Sequence, residues 1–229
     1  MIFLIKKCIL YVQNKEFYVS KQKVQAAPSI RRLPSYLHII RNAQAQGLEN
    51  ISGTVIANEL ELEPIQVRKH LAITGVTGKP KKGYPVAALI AAIEHFLGWS
   101  KNKNAILIGV GNLASALLGY QEFKFHGLDF VATFDADKTK IGKSIHGVPV
   151  YSIDTLKEKI NNLEVTIAVI TVPSHVAQQT ADLLIDAGIK AIWNFTNVKL
   201  KLPDDICCQQ EDLTSGYAML SLMMNNEEV

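Results

Sequence analysis

Cysteine is scarce in this chain: three among 229 residues, two of them adjacent at Cys207 and Cys208. That leaves no disulfide framework and no paired-cysteine spacing for a structural zinc, and it fits a reducing, cytoplasmic compartment. An excess of one charge is also missing. Lys and Arg number 24 against 21 Asp and Glu, and the net charge of +3 is too small by itself to indicate nucleic-acid binding. No apolar run is long enough to span a bilayer. The apolar pieces near the start, residues 1–5 and 8–12, are separated by Lys6 and Lys7, a charge order that does not suit a signal peptide. Residues 1–26 therefore read as an N-terminal extension, and no membrane partner is expected. A catalytic constellation is lacking too, because His126, His146 and His175 are scattered without a recognisable acid/base partner or metal-ligand spacing. Apolar residues, in contrast, make up 48% of the chain and charged residues 20%, enough for a real core in one large domain or two modest ones.

The most informative stretch is the apolar run Ala105-Ile-Leu-Ile108, which stops at Gly109-Val110-Gly111-Asn112-Leu113-Ala114 and is followed by a helix-like segment reaching Glu122. This pattern reads as a buried parallel strand turning into a helix N-terminus. Gly109 permits the tight turn, Gly111 removes a Cβ that would block a phosphate, and Ala114 is the small residue where helix packs on strand. The first N–H groups of the helix would face an anion. A second strand, Phe130–Phe134, ends in Asp135, at about the 20-residue distance where an acidic residue accepts the ribose hydroxyls of NAD-type cofactors. The same carboxylate argues against NADP, whose additional phosphate it would repel.

Towards the N-terminus the pattern is helical. Ser29 is positioned to cap a helix carrying Ile30, Leu33, Leu37 and Ile40 on one face, with Pro34 near its first turn and Gly47 at its end. Ser52 or Thr54 opens a short second helix, Val55–Leu60. A third, Pro64–Leu71, docks through Ile65 or Val67 and Leu71, leaving Gln66, Arg68, Lys69 and His70 outward. A short helix, a tight turn and a basic helix make a helix-turn-helix pattern. The next segment, Val76–Tyr84, carries Lys79, Lys81 and Lys82 among two glycines and a proline, a hairpin-like wing whose cations would meet phosphates. A fourth, apolar helix over Pro85–Leu97 and a polar hinge over Gly98–Asn104 follow.

Beyond the glycine motif, strands at Val148–Val150, Val165–Thr171 and Ala191–Phe195 alternate with helices at Ile153–Ile160 and Ser174–Ala187. Near-continuous apolar strands separated by helices predict an α/β, doubly wound parallel sheet covered on both faces. Ligands of such sheets sit at the carboxyl ends of the strands, which adds Thr171, Pro173 and Asn194 to the candidate cofactor residues. The last segment, Leu213–Met224, is apolar on nearly all sides and must be buried against its own domain or a partner.

Several stretches together resemble the Rex family of bacterial redox-sensing repressors: Ile30–Leu37, Gln66–Lys69, Gly109–Tyr120, Phe134–Gly142, Thr171–Pro173, Ala187–Phe195 and Asp212-Leu213. The resemblance runs from about Ala27 to Met224. It implies a winged-helix DNA-binding domain (27–98), a Rossmann NAD(H)-binding domain (99–211) and a C-terminal domain-swapped helix and tail (212–229). It further implies a homodimer that binds a palindromic operator on double-stranded DNA when NADH is low, releases it when NADH rises, and is no enzyme. The family's arginine that pairs with an aspartate and a tyrosine, matched here by Asp212 and Tyr120, is His38 in this chain. A histidine carries only partial charge near neutral pH, so this switch is expected to be weaker or pH-sensitive. His70 stands where the family has an aspartate. The wing lacks the usual aromatic residue and has lysines in place of arginine.

Two other readings share parts of this pattern. An NAD-dependent oxidoreductase would use the same glycine turn but needs an acid/base group and leaves the basic helix unexplained. A CoA-binding module has a similar early glycine turn, whereas Asp135 suits a ribose with free hydroxyls.

Overall fold

A computed structural model describes residues 27–225, so the expected extension over 1–26 lies outside the described residues. The chain divides into two compact units, the first ending at Lys101 and the second starting at Asn102.

The first unit opens with α1, Ala27–Ala45. The helix starts before Ser29, which lies within its first turn, where Pro28 is tolerated because that N–H has no intrahelical acceptor. Pro34 lies inside the helix and removes one ladder bond, a cost of about 3 kcal/mol in a free helix. Burial of Leu33, Tyr36, Leu37 and Ile40, each 1% exposed or less, offsets it. Gly47 (φ 76°) turns the chain as the Leu48 N–H bonds back to the Ala43 carbonyl, and Ser52 caps α2, Gly53–Glu59, by accepting from the Val55 N–H. In α3, Pro64–Ala72, Val67 and Leu71 dock in the core, while Ile65 is 57% exposed. Two short antiparallel strands, β1 (Asn50–Ile51) and β2 (Tyr84–Pro85), close the base of the hairpin, and α4, Val86–Leu97, ends at Gly98 in the left-handed region. Leu33, Tyr36, Ile40, Ile56, Val67, Leu71, Leu89 and Ile93 form one core.

The second unit is a seven-stranded sheet. Its strands are β3 (Lys103–Ile108), β4 (Leu128–Asp135), β5 (Ser144–Ile145), β6 (Val148–Ser152), β7 (Ile167–Ile170), β8 (Ala191–Asn194) and β9 (Cys207–Gln210). They lie in the order β5-β6-β4-β3-β7-β8-β9, parallel except for the β5–β6 hairpin. Omitting β5, this is the 3-2-1-4-5-6 order of dinucleotide-binding sheets, which reverses direction between β3 and β7. Sequence reasoning missed β5 and β9. The second is Cys-Cys-Gln-Gln, exposed along its whole length, and it pairs through its backbone alone. The expected hinge is shorter than foreseen, since Lys103 and Asn104 already pair in β3.

Alternating side chains sort onto the two faces of the sheet. Ile106, Ile108, Phe134, Ala168 and Ile170 build the larger core with α7 (Leu156–Leu163) and α8 (Ala177–Asp186). Leu107 and Val169 point the other way, towards Ala114 and Leu118 of α5 (Asn112–Gly119). The helix expected to run from Leu113 to Glu122 breaks at Tyr120, whose ψ of 100° is extended, and restarts as α6, Gln121–Phe125. On this second face Trp193 and Phe195 are only half-buried, so the cover foreseen on both faces is incomplete. The final helix, α9 (Thr214–Asn225), has no buried residue.

Candidate functional site

The glycine turn sits at the reversal point. Ile108 pairs with Phe134 on one side and with Ile170 on the other, so the ends of β3, β4 and β7 come together. Gly109 has φ +90°, and a Cβ there would lie 2.7 Å from Val172 Cγ1 and 3.1 Å from the Thr171 backbone. Only glycine fits. The Thr171 hydroxyl fastens this turn by donating to the carbonyls of Gly109 (2.7 Å) and Ile108 (3.1 Å). Gly111 differs in kind: its backbone is extended, and a Cβ added there would meet no atom within 4 Å. That leaves open space directly before the N-terminus of α5, where first-turn N–H groups of a helix suit an anion. Asn112 and Leu113 open α5, where first-turn N–H groups lack intrahelical acceptors, and buried Ala114 packs on the sheet.

Asp135, 13% exposed at its side chain, closes the end of β4 beside this turn. Its Oδ2 accepts from the Val110 N–H at 2.7 Å and from Lys140 Nζ at 3.1 Å, and its Oδ1 accepts from the Asp137 N–H at 2.8 Å. Burial pushes its pKa up, but those N–H donors and the Lys140 ammonium outweigh burial and hold the carboxyl below its ordinary value. The Val110 N–H is therefore engaged by Asp135, and Val110 serves to position the acid. Lys140, which also lies 3.9 Å from Asp137, was missed in sequence. The signal lay in the Asp135-x-Asp137-x-x-Lys140 spacing, which a turn after a strand folds together.

Asn194 is fully buried at the end of β8. Its Oδ1 accepts from the Thr196 N–H and hydroxyl, and its Nδ2 donates to the Val198 carbonyl at 2.8 Å. Both Oδ1 bonds and one Nδ2 bond go to shaping the loop that follows β8, and the side chain is closed off from solvent. Pro173 is exposed just beyond β7, at the same sheet edge as Thr171.

On the first unit, Gln66, Arg68 and Lys69 are exposed along α3. Arg68 Nε donates back to the Pro64 carbonyl at 3.2 Å. Lys79, Lys81 and Lys82 are exposed on a hairpin closed by paired hydrogen bonds between Lys79 and Gly83. The wing expected from the Gly/Pro pattern is thus present. His70 departs from its expected outward place: its Nδ1 lies 2.6 Å from the hydroxyl of buried Tyr36, and the two rings stack with centroids 5.9 Å apart. In the neutral tautomer with its proton on Nε2, the phenol donates to Nδ1. Burial and the nearby Arg32 hold the His70 pKa below its ordinary value. Among the described residues, no group of three or more His, Cys, Asp or Glu side chains is placed to hold a metal, and no helix is long and apolar enough to cross a membrane.

Comparison with known proteins agrees with this division of labour. A family model described as a putative DNA-binding protein N-terminus matches residues 26–71, and one described as a CoA binding domain matches 100–198. The redox-sensing transcriptional repressor Rex of Treponema denticola is 62% identical over 210 residues, covering 92% of this chain and all of that protein. The chain belongs to the Rex family of redox-sensing transcriptional repressors. The Rex protein of Bacteroides thetaiotaomicron is 40% identical over 198 residues, covering 86% of this chain and 89% of that one. Among solved structures, the Rex-family repressor RSP in complex with beta-NAD+ and operator DNA superposes with a TM-score of 0.83, at 32% identity over 90% of this chain and 95% of that one. RSP in complex with beta-NADH gives 0.80 at 31% identity, over 90% and 97%.

The residues singled out by resemblance to Rex proteins fall on both units. His38 is exposed on α1. Tyr120, 55% exposed, follows α5 and packs edge-on against Phe123 with centroids 5.0 Å apart. Asp212 precedes α9, where its Oδ1 accepts from the Thr214 N–H (2.9 Å) and hydroxyl (2.6 Å). These bonds hold its carboxyl below the ordinary range. The sequence reading did not assign this helix-opening role to Asp212, although the Asp-Leu-Thr spacing is its signal.

Proposed function

We propose that this chain is a DNA-binding transcriptional repressor that senses NADH against NAD⁺. As a homodimer it holds a palindromic operator when NADH is low and releases it when NADH binds. The observation that carries the proposal is the pairing, in one chain, of an open Gly111 cradle beside Asp135 with an exposed basic helix and wing on a separate unit. RSP, a relative of similar length and fold, is the precedent for one chain engaging operator DNA, NAD⁺ and NADH.

The open space at Gly111 and the shielded carboxylate at Asp135 fit a dinucleotide. Gly109 and Thr171 would hold the turn, Gly111, Asn112, Leu113 and Ala114 the pyrophosphate, and Asp135 with Lys140 the adenine ribose, while Pro173 lines the sheet edge. When bound, the reduced dinucleotide supplies an uncharged, non-planar nicotinamide in place of a planar cationic one, and that difference is what the protein has to read. Gln66, Arg68, Lys69, Lys79, Lys81 and Lys82 serve the DNA; His70 supports them from behind. Tyr120 and Asp212 serve the switch on one unit, and His38 serves it on the other. Reading the redox state needs no turnover, only different affinities of two dimer states for the ligand. The exposed apolar face of α9 is the second subunit's share of the assembly, and a cytoplasmic location accords with the role.

The test is fluorescence anisotropy of a palindromic promoter fragment from upstream of the protein's own gene, with NADH, NAD⁺ and CoA titrated separately. Release by NADH at concentrations where NAD⁺ does little supports the proposal. Binding of NADH without any affinity for the fragment at low salt overturns it in favour of an enzyme, and tight binding of CoA in place of NADH overturns the cofactor assignment.

A further inference from the structure

Tyr120 and Asp212 sit on the same unit but belong to different segments, one at the end of α5 and the other ahead of α9. A continuous line of contacts joins them. The Tyr120 ring packs edge-on against Phe123 (5.0 Å between centroids), and Phe123 packs edge-on against Trp193 (5.3 Å, interplanar 75°). Trp193 Nε1 donates to Glu211 Oε1 at 3.0 Å, and Gln209 Nε2 donates to the same oxygen at 3.3 Å. Glu211 directly precedes Asp212, and its own N–H bonds to the Asn194 carbonyl at 2.9 Å. Because α5 begins at the glycine turn and leads through the extended Tyr120 into α6, which carries Phe123, the line extends from that turn to the cap of α9.

Two features make this line more than packing. Trp193 is half-buried on the sheet face that α5 leaves partly uncovered, so its indole N–H is a polar handle on an otherwise apolar surface. Its acceptor is a carboxylate, and a charge-assisted hydrogen bond is shorter and about twice as strong as a neutral one. Together they fix where the segment leading into α9 leaves the sheet edge, a segment that otherwise lies along the exposed strand β9.

Building on the proposed function, we infer that Phe123, Trp193 and Glu211 are positioning residues that couple cofactor binding at the glycine turn to the Asp212 cap and hence to the C-terminal helix. A shift of α5 by a fraction of an ångström moves Tyr120 and Phe123, and the Trp193–Glu211 bond carries that shift to Asp212. Contiguity marks the route; the coupling it carries is measured by a double-mutant cycle.

The experiment uses the full chain and three readouts: NADH affinity without DNA, affinity for the promoter fragment without NADH, and the factor by which saturating NADH weakens fragment binding. Trp193→Phe keeps the aromatic packing and loses the N–H; Glu211→Ala loses the acceptor; Glu211→Gln keeps an acceptor oxygen. We expect W193F and E211A each to reduce the NADH-dependent factor by roughly threefold to tenfold. Both single affinities stay within about twofold, E211Q recovers most of the loss, and the double variant is no worse than either single one. A purely structural role would instead shift both single affinities and leave the factor alone. Wild-type coupling in both single variants, or losses that add in the double variant, overturns the inference. Absence of any NADH effect in the wild-type protein overturns the proposed function itself, and the inference with it.

Discussion

Gly109 and Gly111 are two residues apart and do opposite jobs. At Gly109 the backbone is left-handed and a side chain would collide with Val172 and Thr171. Gly109→Ala is expected to cost roughly 2–4 kcal/mol and to lower the melting temperature of the Rossmann unit. At Gly111 a Cβ meets nothing. Gly111→Val should leave the melting temperature within a few degrees and abolish NADH binding, measured by calorimetry or nicotinamide fluorescence. Loss of fold in G111V, or retained NADH binding, would contradict the cradle. The two glycines look alike in sequence because the difference lies in what surrounds them. His70 makes the same point from the other direction. Its type and place on a basic helix suggested a DNA contact, but the fold turns it onto buried Tyr36. Because its pKa in the folded state lies below that of the unfolded chain, the unfolded state binds more protons below about pH 6.5. Stability from this residue is therefore present at neutral pH and lost as pH falls through the unfolded value towards the folded one. Thermal melts from pH 8 to pH 5 should show less acid destabilisation in His70→Gln than in wild type.

At the level of elements, periodicity served well wherever a side chain faces a core and poorly where backbone alone decides. The α3 helix was legible because Val67 and Leu71 recur at helical spacing and Pro64 marks the start. The wing was legible from its Gly/Pro punctuation, and Gly83 shows why that punctuation is strict. Its φ is +80°, and a Cβ there would lie 2.4 Å from the Ile51 carbonyl oxygen of the facing strand. Gly83→Ala should separate β1 from β2, with a cost of about 2 kcal/mol or more and weaker fragment binding, while NADH affinity stays unchanged. Equal stability of the variant, by calorimetry of the intact chain, would show that the hairpin base tolerates a side chain. By contrast β9 has no apolar pattern to read. It exists because β8 offers a parallel edge, and residues 207–210 fill it through main-chain bonds. The break at Tyr120 was equally silent, since Leu117 to Phe123 keeps a helical apolar rhythm across an extended residue.

At the level of the whole molecule, the apolar excess of α9 has to be accounted for. Leu213, Tyr217, Met219, Leu220, Leu222, Met223 and Met224 are all more than half exposed, far more contiguous apolar surface than monomers commonly carry. A second copy of the chain would remove it from water. The double variant Leu220→Lys, Met224→Lys should therefore move the protein from dimer to monomer in analytical ultracentrifugation and weaken binding to a palindromic fragment by at least tenfold. Each subunit's melting behaviour should change little. A dimer that persists in this variant would place the interface elsewhere.

The amino-acid sequence by itself determined the two-part plan: a basic helical unit with a wing, then a parallel sheet with a glycine turn and an acid one strand further on. Those features depend on local spacing, turn chemistry and apolar periodicity, which operate over a few residues and can be read along the chain. Tertiary structure decided which glycine is steric and which is open, turned His70 onto Tyr36, and brought Trp193 to Glu211. Each of these depends on atoms from distant segments meeting within a few ångströms, a distance that no spacing along the chain encodes.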